Sequence, residues 1–229
     1  MKKHNWIKLT LAAGAAAGTA MGIISRLQKR EQEEEPAVPA GPGSLVTAQA
    51  RAQLTEQIGS RLPPEATMLV MAEDRGELAR CLAPSCRMLF SSNADGTASP
   101  QRAAWPVQII RAACDPERLW LAKGSLDAAV LVNTLQCCED AGRVLAQMAR
   151  AIRPDGFLSL VTTLRPEPFT QARWSETMAL LGLPDRHGWT RDDLRALLQA
   201  AGWEICEETE HPSGLPLVQM LCCKAEKDR

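Results

Sequence analysis

The stretch LDAAVLVNT at 126–134, followed by EDAGRVLAQMARAIR at 139–153 and FLSLVTTL at 157–164, decides the fold. The first and third segments are apolar without alternation, which is typical of parallel strands buried on both faces. The middle segment predicts a helix, because one face collects its large apolar residues, Val144, Leu145, Met148 and Ile152. A strand, a helix and a second strand in this order predict a βαβ unit.

Strands and helices alternate on both sides of this unit. Apolar runs predict further strands at 66–72, 86–92, 106–112, 203–210 and 215–225. Amphipathic patterns predict helices at 44–62, at 74–82 and between Thr190 and Gly202, the last of these beginning with a capping box. Alternation of this kind predicts a doubly wound α/β sheet, and we expect its last strand to run antiparallel.

Composition excludes several classes of function. The formal net charge is -1 and aromatic residues make up 4 % of the chain, so nothing indicates a nucleic-acid partner. The eight cysteines include two adjacent pairs and several within apolar runs, which favours free thiols in a reducing compartment over disulfides. Their spacing does not match that of a zinc site, so no metal is expected.

Residues 1–30 differ from the rest of the chain. A charge-free run from Leu9 to Ile24 has basic residues on both sides. This pattern predicts a single-pass membrane anchor over 6–25, and a cleaved secretory signal is the alternative. The flanking charges are balanced, so they do not decide the orientation. The cysteine content favours a cytoplasmic position for the globular part.

Within the predicted anchor, Gly14, Gly18 and Gly22 lie four residues apart and share one helix face. This tandem small-residue motif favours self-association of two such helices. The alternative is that the small residues only make up a weak anchor and have no role in association. Residues 31–43, EQEEEPAVPAGPG, predict an acidic linker that is rich in proline and glycine. The globular domain is therefore expected to occupy 44–229.

Further motifs follow the predicted strands. Asp115 comes after the third strand, Gly124–Asp127 leads into the fourth, and Ile152–Gly156 ends the helix before the fifth. The segment GWTRDDLRALLQAAGWEI at 188–205 runs into the sixth. Over residues 44–225 this combination resembles the class I, Rossmann-like methyltransferases that use S-adenosylmethionine. The resemblance implies that family's sheet and its cofactor.

The turn after the first strand departs from the family's pattern. In that pattern an acidic residue precedes a GxGxG turn, whose glycines let the backbone approach the cofactor. Here Ala72, Asp74 and Gly76 stand at the glycine positions and Val70 at the acidic one. Asp74 would put a negative charge where the methionine carboxylate passes. A small shift of the alignment makes Glu73 the acid but restores no glycine.

The remaining cofactor positions of the family fall at the ends of the other strands. In the family, a carboxylate at the end of the second strand usually accepts hydrogen bonds from the ribose. In this sequence that strand ends in Ser92, with Asp95 a little beyond. Asp115 matches the position near the adenine, and Asn133 would face the transferred methyl group. The cofactor-binding residues implied by the resemblance are therefore Asp74, Gly76, Ser92, Asp115 and Asn133.

Two functions stay open at this point. In the favoured one, the protein is methyltransferase-like, with impaired or lost binding of S-adenosylmethionine and a scaffold or binding role toward protein partners. In the other, it is an active methyltransferase that acts on a lipophilic or membrane-associated substrate. Such an enzyme mainly holds the methyl donor in line with the nucleophile that accepts the methyl group, so no strict catalytic residue is required. His187 is a candidate general base, and a surface position is the alternative.

Overall fold

The computed structural model describes residues 46–98, 106–167, 169–180, 185–213 and 215–225. The strands are β1 (Thr67–Met71), β2 (Met88–Ser92), β3 (Ile109–Arg111), β4 (Leu126–Val132), β5 (Ile152–Thr163), β6 (Trp203–His211) and β7 (Leu217–Lys224). The α-helices are α1 (Ala48–Gly59), α2 (Glu77–Leu82), α3 (Thr134–Cys137), α4 (Ala141–Ala151), α5 (Gln171–Leu180) and α6 (Arg191–Ala200).

One mixed sheet of seven strands has the order β3-β2-β1-β4-β5-β7-β6. The first five strands are parallel, whereas β7 runs antiparallel to both β5 and β6. The predicted doubly wound α/β sheet with an antiparallel last strand is thereby confirmed. Successive strands move outward from β1 to β3 and then restart at β4, so the direction of winding switches between β1 and β4. Ligand crevices of such sheets form at the carboxyl ends of the strands beside this switch.

The hydrophobic core lies on both faces of the sheet. All seven residues of β4 are buried, as its unalternating apolar sequence predicts. On one face of the sheet, Leu54 and Ile58 of α1 belong to a cluster that includes residues of β1. On the other face, Leu145 and Met148 of α4 belong to a cluster that includes residues of β5 and β7. The sheet is therefore covered by helices on both sides in its central part.

The bounds of two elements differ from the sequence prediction. Strand β5 begins at Ile152, so it includes Pro154–Gly156, whose composition predicts a turn. The pairing of β5 with β4 shifts register there, and Gly156 fits because a Cβ on it would lie 2.5 Å from the carbonyl oxygen of Asp127. Helix α5 was not predicted, since only Trp174 and Met178 on it are buried and they give too short an apolar pattern.

Helix α1 is attached to the carboxyl-terminal hairpin by polar contacts. Thr47 caps the helix by accepting a hydrogen bond from Ala50 N, and its hydroxyl donates to the carbonyl oxygen of Pro212 at 2.9 Å. The ring nitrogens of His211 lie 3.2 Å from Oε1 of Gln53 and 2.9 Å from Oε1 of Gln219. These contacts join the beginning of the described chain to its end.

The sequence prediction of a single-pass membrane location is corrected here. Among the described residues, no helix has the length and apolar character needed to cross a membrane. The predicted anchor at 6–25, with Gly14, Gly18 and Gly22, lies outside the described residues, and so does the linker at 31–43.

Asp127 joins the beginnings of three strands. Its Oδ2 accepts a hydrogen bond of 2.6 Å from the backbone N–H of Thr67, next to it in β1. Its Oδ1 forms an ion pair with Arg153 of β5, and only 8 % of the residue is exposed. The same guanidinium reaches Asp155 with Nε at 3.0 Å from Oδ1, but the Asp155 side chain is 74 % exposed. Asp127 is therefore a buried link between these strands.

We expect Asp127→Ala to lower the free energy of unfolding by about 2–3 kcal/mol, because it leaves the part-buried N–H of Thr67 without its acceptor and removes the buried one of the two carboxylates that pair with Arg153. The matched control is Asp155→Ala, which removes the exposed partner of the same arginine and should change the stability by less than about 0.5 kcal/mol. Urea unfolding followed by circular dichroism measures both values. Equal losses from the two substitutions would contradict the role given to Asp127.

Candidate functional site

The loops that follow β1, β2, β3 and β4 meet at one edge of the sheet, because parallel strands present their carboxyl ends together. Two adjoining cavities of about 310 and 360 Å³ lie at this edge, and Asp95 lines both of them. The larger cavity is also lined by Glu73, Arg75 and Asn93. The smaller one reaches Asp115, Glu117 and the start of the loop before α4.

The turn between β1 and α2 is closed by the side chain of Asp74. Its Oδ1 accepts a hydrogen bond of 3.0 Å from Gly76 N, and its Oδ2 accepts one of 2.6 Å from Leu78 N. Gly76 stands at the N-cap position with φ of 79°, a left-handed conformation that suits glycine, and has no side chain to cap the helix. Asp74 therefore supplies the cap from two positions earlier. The N–H groups of Gly76 and Leu78 are occupied by a carboxylate of the chain itself.

Burial affects the charge of Asp74. The residue is 5 % exposed, and loss of hydration raises the pKa of its carboxyl group above the ordinary value. The hydrogen bond from Leu78 N, the charge of Arg51 and the bond from Gly76 N act in the opposite direction. A second carboxylate brought to this turn would meet a buried acidic group and N–H groups that already have an acceptor.

Glu73 lies beside this turn and lines the larger cavity. Burial raises the pKa of its carboxyl group, and the nearby charge of Asp95 raises it further. The thiol of Cys137, 3.9 Å from Oε1, is a weak donor that lowers the pKa slightly. The sequence had considered Glu73 only as an alternative acidic residue of the turn. In the structure it is one wall of a cavity.

Ser92, expected to bind a ribose, instead holds the loop that follows β2. Its hydroxyl donates to the carbonyl oxygen of Thr97 at 2.9 Å. Asp95 accepts bonds from the backbone N–H and the hydroxyl of Thr97 at 2.9 and 2.7 Å. Gly96 allows Cys114 to approach, since a Cβ on it would lie 2.9 Å from the carbonyl oxygen of Cys114. The tight loop thereby places Asp95, and not Ser92, on the cavity walls.

Asp115 lies where the sequence placed it, after β3 and on the wall of the smaller cavity. Its Oδ1 accepts a hydrogen bond from Glu117 N at 2.9 Å, and the carboxylate is exposed. The next acidic residue, Glu117, accepts bonds from the backbone of Glu139 and Asp140 at 2.7 and 3.1 Å, just before α4. Sequence reasoning missed Glu117, since only its position six residues past the end of β3 pointed to it.

Asn133, expected to face a methyl group, bridges β4 and β5. It has a left-handed φ of 54°, and its Oδ1 accepts a hydrogen bond of 2.9 Å from Thr163 N. Gln136 nearby donates through Nε2 to the carbonyl oxygen of Thr163 at 2.8 Å. Both side chains are buried and serve the packing of the loop against β5.

Cys137 lies in the same segment. Burial raises the pKa of its thiol, and nearby charges such as that of Glu73 raise it further, which disfavours the reactive thiolate.

Comparison with protein families adds one result. A profile of the methyltransferase domain matches residues 71–208, which is more than half of the chain and includes every loop of the site just described. No significant match was found among curated protein sequences.

Solved structures share the fold at low sequence identity. The 1,6-didemethyltoxoflavin-N1-methyltransferase of Burkholderia thailandensis, with bound 1,6-didemethyltoxoflavin and S-adenosylhomocysteine, is 18 % identical, with a TM-score of 0.59 over 78 % of this chain and 80 % of that one. A chain from the Haloferax volcanii complex of the Trm112 methyltransferase activator with a putative methyltransferase is 14 % identical, with a TM-score of 0.62 over 75 % and 88 %. The [4+2]-cyclase SpnF is 14 % identical, with a TM-score of 0.61 over 91 % and 95 %.

The partly buried carboxyl group of Glu73 predicts a pH-dependent stability. Its pKa is raised on folding, so the folded state holds the proton more tightly, and ionisation at higher pH costs stability. We therefore expect Glu73→Gln to be more stable than the unchanged protein at pH 7 and to lose this advantage as the pH falls toward the ordinary pKa of 4.5. Urea unfolding across this pH range measures the difference. An advantage that stays constant with pH would exclude ionisation of Glu73 as its cause.

Proposed function

The chain belongs to the methyltransferase-domain family, and on that premise we propose that it has lost tight binding of S-adenosylmethionine and serves as a binding module for other partners. One observation carries this proposal. The carboxylate of Asp74 takes up the N–H groups of Gly76 and Leu78 in the turn after β1. This is the turn where the family's pattern has glycines that approach the methionine half of the cofactor.

The two halves of S-adenosylmethionine fit the site unequally. Asp95 and Asp115 line the smaller cavity and offer carboxylate acceptors suited to an adenosine. At the other end, the cofactor's carboxylate would lie among Asp74 and Glu73, and like charges in a partly buried site repel. Arg75 is an available cation on the wall of the larger cavity, but it lies exposed, where solvent weakens its attraction.

The fold itself does not require methyl transfer, because function depends on the site built on the fold. Among the structures with this fold, one is a [4+2]-cyclase and another comes from a complex with a methyltransferase activator protein. A protein partner is accordingly part of the proposal. The closed turn and the buried Asn133 use their polar groups within the fold, and the raised pKa of the Cys137 thiol disfavours the reactive thiolate.

Active methyl transfer is the second candidate, and a specific observation favours it. Asp115, which the resemblance aligns with the family's adenine position, lines an open cavity together with Asp95. If the cofactor binds, it supplies the methyl group, and these two carboxylates would hold its adenosine end. The loops after β1 and β4 would then position the acceptor, which is a task of orientation more than of acid–base chemistry.

Titration calorimetry on the full chain tests the proposal with S-adenosylmethionine and S-adenosylhomocysteine as ligands. We expect no saturable binding below millimolar ligand for the unchanged protein. Asp74→Gly removes the carboxylate and restores a glycine, so it should tighten binding at least about tenfold, equal to about 1.4 kcal/mol. The lost cap lowers stability by about 1 kcal/mol, so circular dichroism must show that the variant is folded.

Asp74→Asn is the matched control, since asparagine keeps an acceptor for the cap but removes the charge. Binding restored equally by both substitutions assigns the defect to charge repulsion, and binding restored only by glycine assigns it to the occupied N–H groups. Micromolar binding by the unchanged protein, weakened by Asp115→Ala, would overturn the proposal in favour of the active enzyme.

A further inference from the structure

Two exposed cysteines lie side by side at the far edge of the sheet from the cavities. Cys206 is on β6 and Cys223 is on β7, and their Sγ atoms are 2.7 Å apart. Strand β6 is the edge strand and pairs antiparallel with β7. The sulfurs are thus nearer than a normal non-bonded contact allows, and only a small movement separates them from the disulfide bond length of about 2.0 Å.

A β-bulge produces this proximity. In the pairing of β6 with β7, Ile205 opposes Cys222 and Glu207 opposes Leu221, so Cys206 is the extra residue with no partner of its own. A bulge re-aims the side chain of the extra residue and increases the local twist. The thiol of Cys206 is thereby placed beside that of Cys223. In the strand pairing, Cys223 lies opposite Glu204.

The other cysteines have different surroundings. Cys222 is fully buried in the core, although it is adjacent to Cys223 in the sequence. Cys86 and Cys138 are buried, and their thiols donate to the carbonyl oxygens of Leu82 and Leu135. Cys81 is exposed, but it lies on α2, away from this hairpin. Only Cys206 and Cys223 combine exposure with a second sulfur in contact among the residues described here.

We propose that Cys206 and Cys223 are a redox modification site, which forms a reversible cross-strand disulfide when the protein meets a low-molecular-weight disulfide such as oxidised glutathione. The site belongs to the hairpin and not to the cavities, so it is independent of whether S-adenosylmethionine binds. No larger rearrangement of the strands is needed, because the two thiols already touch.

The reaction proceeds by two thiol–disulfide exchanges. One cysteine, as thiolate, attacks a sulfur of oxidised glutathione, forms a mixed disulfide and releases one glutathione thiolate. The second cysteine loses its proton, attacks the protein sulfur of the mixed disulfide and releases the other glutathione. In total the two protein thiols lose two electrons and two protons, and oxidised glutathione is reduced to two molecules of glutathione.

Protonation controls the rate of this exchange. Partial loss of hydration and the neighbouring thiol of Cys206 raise the pKa of Cys223 to about 11, so Cys223 keeps its proton near neutral pH. We therefore expect disulfide formation to quicken as the pH rises toward that value. Once formed, the bond closes the loop between the two cysteines and fastens the edge strand β6 to β7.

The test uses the full chain in a buffer of oxidised and reduced glutathione, followed by blocking of free thiols and peptide mapping under non-reducing conditions. We expect a peptide pair joined through Cys206 and Cys223, which disappears after reduction. In Cys206→Ser and in Cys223→Ser, the remaining cysteine of the pair should carry glutathione. Cys81→Ser is the matched control, because it removes an exposed thiol elsewhere, and it should form the same link as the unchanged protein.

Thermal unfolding supplies a second readout. The linked form should have a Tm about 5–10 °C above that of the reduced form, since the bond restricts the unfolded chain. No link between Cys206 and Cys223, or a link that joins either of them to another cysteine instead, would overturn the proposed site. An unchanged Tm despite the link would overturn the fastening of β6.

Discussion

The carboxylate of Asp127 is the contact on which the arrangement of the sheet depends. It accepts a hydrogen bond from the first backbone N–H of β1 and pairs with the guanidinium of Arg153 in β5, so the beginnings of three neighbouring parallel strands are joined. Beyond the register shift near the start of β5 the three strands pair continuously, so their carboxyl ends lie next to one another. The loops after β1 and β4 therefore open side by side, and Glu73 of the first loop lies on the cavity wall there.

The sequence predicted the parts of the fold that depend on uninterrupted patterns. The apolar run of β4 and the capping box of Thr190 and Asp193 at α6 are both confirmed, because each is decided by residues close together in the chain. The beginning of β5 was not predicted, since Pro154–Gly156 has the composition of a turn and its extended form depends on pairing with β4. Tertiary contacts there override the local preference.

The candidate site was predicted in position but not in detail. Sequence reasoning located the altered turn at Asp74 and the acidic residue Asp115, because both follow strands whose ends meet. It treated Asp74 as a charge in the path of a ligand, whereas the structure gives it a cap for α2. Ser92 and Asn133 have polar side chains used by the fold itself, and a sequence does not show which hydrogen bonds are already made.

Helix α1 has a consequence for the order in which the chain assembles. Its partners at His211 and Pro212 are far along the sequence, and the bond from Thr47 to Pro212 spans 165 positions. Contacts of such separation carry a large entropy of loop closure and form late. During synthesis on a ribosome, α1 is made before the other described helices and strands, but its docking surface is completed last. Until then the apolar face with Leu54 and Ile58 lacks part of its cover and needs protection from aggregation.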